Sequence, residues 1–199
     1  PVFLHRKSPT QLRSINTVGR RKMSRWLQPE YLDSFPLSFL MRQRFPQYWL
    51  RIHSLPDSKR YPEDEGEREV VLQRYASFGT ALLGDQAPCF IVRARFATEE
   101  LSSELQSSLR WSQLHKIEEE EDFWCSWIAE TSWRPETLRD LFIDIAEDRD
   151  SHVMFVSKLS DAIFAPYDGG ADGFSFDLGM ITRLKQKFAP WRSARSDGL

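Results

Sequence analysis

The chain has 199 residues, of which 41% are hydrophobic and 13% are aromatic, and its formal net charge is −2. A chain of this length can bury a sizeable core without disulfides or metals, and this apolar content argues against global disorder. The acidic excess also argues against a domain that binds nucleic acid through a uniformly basic surface.

The first 22 residues differ in charge from the rest of the chain. They contain six basic residues and no acidic one, so residues 23–199 hold 21 basic and 29 acidic residues and a net charge of −8. We expect residues 1–22 to be a non-native or accessory extension, with Met23 as the natural start. An organelle transit peptide or a genuine basic arm remain alternatives. Residues 23–199 are predicted to form a single α+β domain.

In the first half of the chain, two helices flank one strand. A helix interrupted at Phe35-Pro36 is predicted from Pro29 to Phe45, because proline is favoured in the first turn. Alternation from Tyr48 to His53 predicts a half-buried strand. After a polar loop, an acidic start and a closing Gly84 predict a helix over residues 65–83. The apolar face of that helix comprises Val71, Tyr75, Phe78 and Leu82.

The second half alternates strands with helices. Strands are predicted at residues 89–96, 123–130, 152–157 and 162–167, and helices after Thr98, after Pro135 and at residues 177–188. Residues 168–173 contain two adjacent glycines and are predicted to form a turn. The order of these elements predicts an α+β fold, with a mixed, mainly antiparallel sheet of about five strands and helices packed on it.

No cofactor and no metal is expected. Cys89 and Cys125 lie in apolar strands and are predicted to be small buried side chains, and no pair of histidines has zinc-ligand spacing. Asp168 and Asp172 flank the glycines but lack the ligand pattern of a calcium loop. No apolar run reaches the roughly 20 residues that span a bilayer, and no secretory signal is visible, so we expect a cytoplasmic protein without membrane association.

Two segments resemble a family of uncharacterised bacterial cytoplasmic proteins. The first is Leu-Arg-Ile-His-Ser-Leu-Pro-Asp-Ser-Lys-Arg-Tyr at residues 50–61, and the second is Tyr-Asp-Gly-Gly-Ala-Asp at residues 167–172, followed by a helix and Trp191. The resemblance covers roughly residues 45–199. One subgroup of the family has an acidic residue and an arginine where this chain has Gly169 and Gly170. The resemblance implies a bacterial origin and an intact domain, and it supplies no catalytic residue.

The leading functional hypothesis is a non-enzymatic interaction module. Five consecutive carboxylates create a strong local negative field, and tryptophans close to them could anchor a partner. The candidate residues for binding a basic protein are Glu118, Glu119, Glu120, Glu121, Asp122, Trp111 and Trp124. Proteins that neutralise nucleic-acid-cleaving toxins present such faces, so the hypothesis includes an immunity-type or regulatory role. The ordinary interpretation is a solvated acidic loop.

The alternative hypothesis is an enzyme or ligand-binding domain for a phosphorylated or anionic small molecule. If the first two strands are neighbours, four basic side chains share one sheet face. The candidate residues are Arg51, His53, Lys59, Arg60, Arg93 and Arg95. A solvated face, or salt bridges to residues 63–65, would explain the same pattern. Direct nucleic-acid binding by the main domain is not expected, and the sequence leaves the oligomeric state open.

Overall fold

The computed structural model describes residues 24–96, 109–119 and 122–195. The strands are β1 (Trp49–His53), β2 (Pro88–Phe96), β3 (Ser112–Glu119), β4 (Asp122–Ser132), β5 (Val153–Ser157), β6 (Ala162–Tyr167) and β7 (Gly170–Ser175). The helices are α1 (Pro29–Leu32), α2 (Ser38–Arg44), α3 (Glu65–Leu83), α4 (Arg139–Ala146) and α5 (Leu178–Lys187).

All seven strands belong to one sheet, in the order β1-β7-β6-β5-β2-β4-β3. Every pair of neighbouring strands is antiparallel. The predicted α+β class and the mainly antiparallel pairing are therefore confirmed, whereas the predicted mixed character of the sheet and its number of about five strands are wrong. The two additional strands are β3 and β7. The helix predicted after Thr98 and the extension predicted at residues 1–22 lie outside the described residues.

Strand β7 occupies most of the segment that was predicted to be a turn. Only its tip turns, where Gly169 has a φ of +91° that favours glycine. Further along, Gly173 lies opposite Leu50 of β1, and a Cβ atom there would stand 2.7 Å from Cζ of Phe78 and 2.9 Å from Cδ1 of Leu82. The missing side chain therefore lets α3 approach the strand closely.

Helices α3, α4 and α5 cover one face of the sheet. The side chain of Asp64 caps α3 by accepting a hydrogen bond from the backbone N–H of Glu67, and Gly84 follows its last residue, as predicted. The predicted apolar face of α3 is confirmed, since all four of its side chains are buried. Phe78 makes edge-to-face contacts with Phe164 of β6 and with Phe188, which follows α5.

Residues 24–45 cover the opposite face. The predicted interruption at Phe35-Pro36 is confirmed, because the segment forms the short helices α1 and α2 on either side of it. Trp26 is completely buried in an apolar cluster that includes Trp49 of β1 and Phe174 of β7. Its indole N–H also donates a hydrogen bond to the carbonyl oxygen of Asp161 at 3.0 Å. This segment is therefore part of the core.

No helix in the described ranges combines the length and apolar character that a membrane span requires.

Candidate functional site

A cleft of about 330 Å³ opens at the end of the sheet where β6 turns into β7. One wall is α2 with the turn before it, and the other is the loop that joins α4 to β5, here called the 148–152 loop. The inner surface is formed by β6 and by side chains of β1 and β7. The cleft therefore lies on the same face of the sheet as residues 24–45.

A buried ion pair forms the floor of the cleft. The β1–β7 register places Arg51 opposite Asp172, whose side chain is fully buried. The Asp172 carboxylate accepts hydrogen bonds from Nε of Arg51 at 3.0 Å and from Nε1 of Trp49 at 2.9 Å. Burial disfavours the charged form of Arg51. The negative charge of Asp172 and smaller contributions together outweigh this effect, so the pKa of Arg51 is raised. Arg51 therefore keeps its positive charge at neutral pH.

Tyr167 packs against this ion pair. The guanidinium carbon of Arg51 lies 4.7 Å from the centre of the Tyr167 ring, a cation–π distance. Burial, and then the negative charge of Asp172, raise the pKa of Tyr167 well above its ordinary value. The phenol is therefore neutral at physiological pH and can donate a hydrogen bond to a ligand.

The two segments that carry the family resemblance meet at the rim of the cleft. Arg60 forms an ion pair with Asp168, and the hydroxyl of Tyr61 donates a hydrogen bond to the same carboxylate at 3.1 Å. Gly169 is packed closely on Arg60, because a Cβ atom at this glycine would lie 3.1 Å from Cγ of the arginine. The loop after β1 and the β6–β7 turn thus hold each other in place.

The 148–152 loop is held in an unusual backbone conformation. Asp148 and His152 have φ values of +58° and +53°, in a region that disfavours residues other than glycine by about 1–3 kcal/mol. Between them, Asp150 binds both Arg93 and Arg95. Burial, and then the positive charge of Arg95, lower the pKa of His152, so its ring is neutral at physiological pH.

One cation in the cleft has no counterion. Arg42 of α2 lines the cleft and makes no ion pair with any residue in the described part of the chain. Its positive charge acts on Tyr167 and opposes the increase in the pKa of that phenol. Ser38, one helical turn before Arg42, brings a hydroxyl to the same wall. Arg42, Arg51 and Tyr167 therefore offer positive charge and a hydrogen-bond donor at one place.

The structure does not bring the predicted anion-binding residues together. The premise that the first two strands are neighbours is wrong, since β7, β6 and β5 lie between β1 and β2. Arg51 faces the cleft, whereas Arg93 lies opposite Val153 in the register and points to the other face. Of the six residues, only Arg51 lines the cleft.

The other five residues of the predicted anion-binding set already contact a carboxylate or a hydroxyl. Arg93 and Arg95 bind Asp150, and Arg60 binds Asp168. Lys59 binds Glu67 at 2.7 Å and Glu63 at 3.1 Å, and His53 lies 3.3 Å from the hydroxyl of Ser58. These contacts leave no shared basic face for an anion.

The predicted partner-binding residues lie around the β3–β4 hairpin. Glu118 and Glu119 end β3, which is an edge strand of the sheet, and Asp122 begins β4 opposite Glu119. Glu120 and Glu121 lie outside the described residues. Trp111 is partly buried against the core on the helical face. The backbone of Glu118, Glu119 and Asp122 is thus held at the edge of the sheet by strand pairing.

Trp124 belongs to the core, because only 5% of its surface is exposed. Its ring packs between Phe96 and His152, at centroid distances of 3.9 and 4.6 Å. Phe123 and Phe96, in contrast, are 47% and 40% exposed. The exposed aromatic side chains near the hairpin are therefore phenylalanines, which the sequence interpretation did not consider.

The predictions for the cysteines are confirmed. Cys89 and Cys125 are both buried and unpaired. Burial raises the pKa of the Cys89 thiol to about 12, so this cysteine is a weak nucleophile at neutral pH. Among the residues that the structure describes, no group of three or more histidine, cysteine, aspartate or glutamate side chains is arranged to hold a metal ion.

Comparison with known proteins gives one match. No curated protein and no solved structure matches the chain at a significant level. A family model, described as a domain of unknown function (DUF3885), matches residues 37–196. The matched region contains α2, the 148–152 loop and the two segments that meet at the rim of the cleft. Because the match covers most of its length, the chain belongs to the DUF3885 family.

Proposed function

We propose that this protein is a ligand-binding domain whose cleft recognises an anionic group, a carboxylate or a phosphate, on a small molecule. The observation that carries the proposal is Arg42, which has no ion-pair partner among the described residues and stands beside the neutral phenol of Tyr167 and the Arg51 guanidinium. A guanidinium binds carboxylate and phosphate through charge-assisted hydrogen bonds, which are stronger than neutral ones. A cleft of this volume lies at the lower end of the range for small-molecule sites.

This proposal keeps the chemistry of the anion-binding hypothesis and changes its location. Five of the six residues of that hypothesis lie outside the cleft lining and contact other polar groups, and the sixth, Arg51, is paired with Asp172. Arg42 is the cation that remains for a ligand. The floor of the cleft also favours binding. Its ion pair and the neutral Tyr167 phenol are already in place, so they need no rearrangement when the ligand arrives.

Binding of simple anions tests the proposal. We expect inorganic phosphate or pentanoate to raise the melting temperature, since a probe at 100 times its Kd stabilises the folded state by about 2.7 kcal/mol. Arg42→Gln should abolish the effect. Arg44→Gln is the matched control, because Arg44 lies on the same helix but is exposed and paired with Asp33 at 3.4 Å. Equal stabilisation of Arg42→Gln and the native protein, or no stabilisation by either probe, would contradict the proposal.

A second proposal is that the β3–β4 hairpin binds a basic protein partner, in an immunity-type or regulatory role in the bacterial cytoplasm. Its support is the position of Glu118, Glu119 and Asp122 on an edge hairpin that also exposes Phe123. An edge strand offers backbone groups to an incoming strand, and carboxylates beside it increase the association rate of a basic protein. Both proposals describe binding, and they use different surfaces of the domain.

Salt-dependent association kinetics test the second proposal. A partner captured from the native host should associate more slowly with the variant Glu119→Gln/Glu120→Gln/Glu121→Gln, and its rate should depend less on salt. The control variant Glu30→Gln/Glu136→Gln/Asp140→Asn removes the same charge from exposed sites elsewhere. An equal effect of both variants would attribute the attraction to net charge, and an unchanged salt dependence would exclude the hairpin.

A further inference from the structure

The charged side chains that line the cleft include one guanidinium and one carboxylate without an ion-pair partner in the described ranges, here called the positive pole and the negative pole. Three of its four carboxylates are paired, Asp150 with Arg93 and Arg95, Asp168 with Arg60, and Asp172 with Arg51. The fourth, Asp148, is exposed and forms no ion pair across the described ranges. After this internal pairing, Asp148 and Arg42 are the two ionised side chains that a ligand can engage.

These two groups stand on different walls. Arg42 projects from α2, and Asp148 begins the 148–152 loop. Their electrostatic surroundings also differ, because Arg42 acts on Tyr167, whereas Asp148 acts on Arg60, Tyr61 and His152. The two poles are therefore separated and do not neutralise each other directly.

Apolar side chains also line the cleft. They are those of Met154, Ala165, Pro166 and Phe39. A ligand that reaches from one wall to the other must therefore bring a short apolar body as well as its charged groups. An inorganic anion would fill the positive pole alone.

Building on the proposed recognition of an anion, we infer that the ligand is a small zwitterion of the amino-acid or short-peptide class. Its carboxylate binds at Arg42 and Tyr167, its ammonium group binds Asp148, and its carbon skeleton lies on the apolar side chains of the cleft. A positive φ places Asp148 in a region that aspartate and asparagine tolerate better than most residues, which fixes the backbone at the negative pole.

Calorimetry with chain-matched probes tests the inference. The zwitterions are 4-aminobutanoate, 5-aminopentanoate, 6-aminohexanoate, leucine and phenylalanine, and the single-charge probes are pentanoate and pentylamine. We expect at least one zwitterion to bind about two- to fivefold more tightly than pentanoate, because its ammonium group gains an ion pair with the exposed Asp148 that pentanoate cannot form. Asp148→Asn should remove this advantage without weakening pentanoate binding. Arg42→Gln should weaken every carboxylate.

The control is Asp85→Asn, which removes an exposed carboxylate that does not line the cleft. Its net charge equals that of Asp148→Asn. Asparagine also tolerates the positive φ of position 148, so Asp148→Asn should keep its fold, as judged by its melting temperature. If pentanoate binds through Arg42 but no zwitterion gains affinity, or if the gain persists in Asp148→Asn, the inference fails and the proposed function stands. If no probe binds, both fail.

Discussion

Arg51 and Asp172 depend on each other at the scale of single residues. The carboxylate is fully buried, and Arg51 and Trp49 are its side-chain hydrogen-bond donors. Asp172→Ala would leave a largely buried guanidinium without its counterion, and we expect a loss of about 3–5 kcal/mol in the free energy of unfolding. Urea denaturation measures this loss. A loss below 1 kcal/mol, as for exposed ion pairs, would show that water replaces the carboxylate.

Histidine protonation should make the folding stability depend on pH. Burial lowers the pKa of His53, His115 and His152 below 6.5 in the folded state. At pH values between the ordinary pKa and each lowered pKa, the unfolded chain binds more protons than the folded chain. The free energy of unfolding therefore falls as the pH decreases from about 7 through the lowered pKa values. Urea midpoints between pH 7.5 and 5.5 should follow this trend, and His152→Asn should reduce the slope. A flat profile would contradict the assignment.

Helix α3 and strand β7 fit together closely at the scale of elements. Phe78→Ala removes a fully buried ring and should cost about 3–5 kcal/mol. Gly173→Ala places a methyl group 2.7 Å from that ring and should cost about 1–3 kcal/mol. In the double variant the new methyl enters the space that the ring leaves, so the combined loss should be smaller than the two losses added. Additive losses would mean that the two sites do not share this packing.

The elements that the sequence predicts are those with a local apolar pattern. Strands β1 and β2 alternate, β5 and β6 are short apolar runs, and helix α3 repeats every three or four residues. Strand β7 reads Gly-Ala-Asp-Gly-Phe-Ser, and its pairing and contact with α3 define it as a strand. Strand β3 is polar because it lies at an edge. Both were missed because their strand character depends on neighbours that are distant in sequence.

The same limitation applies to the cleft. Arg51 was identified as a candidate because it was placed with other basic residues on one sheet face, but its partner Asp172 lies on a strand that the sequence did not predict. Arg42 lies on an ordinary short helix, and nothing local distinguishes it from Arg44. Packing of α2 across the sheet, opposite the 148–152 loop, places Arg42 in the cleft. Such non-local placement cannot be read from spacing.

At the scale of the whole molecule, the folding unit extends beyond the family match, which begins at residue 37. Trp26 and Phe35 precede that residue and are completely buried. A chain that starts at residue 37 should be strongly destabilised relative to one that starts at residue 24, because it exposes Trp49 and Phe174. Equal melting temperatures of the two truncated chains would contradict this view.

Redox and chelation experiments address the domain as a whole. Both cysteines are buried and unpaired. We expect that neither a reductant nor a chelator changes the melting temperature, since disulfides and structural metals stabilise by several kcal/mol when they are present. A decrease of several degrees with either reagent would reveal a covalent or metal link that involves these cysteines, the histidines or the Asp168 turn.

The order of strands in the sheet has a consequence for synthesis. Of the strands in the described ranges, β1 leaves the ribosome first and its partner β7 leaves it last. Chains grow by roughly 5–20 residues per second, so β1 waits several seconds without its neighbour. The pairing of Arg51 with Asp172 therefore completes the sheet and the cleft in one late step. A nascent chain that stops before residue 170 lacks β7 and Asp172, so the proposed ligand recognition requires synthesis to continue past this strand.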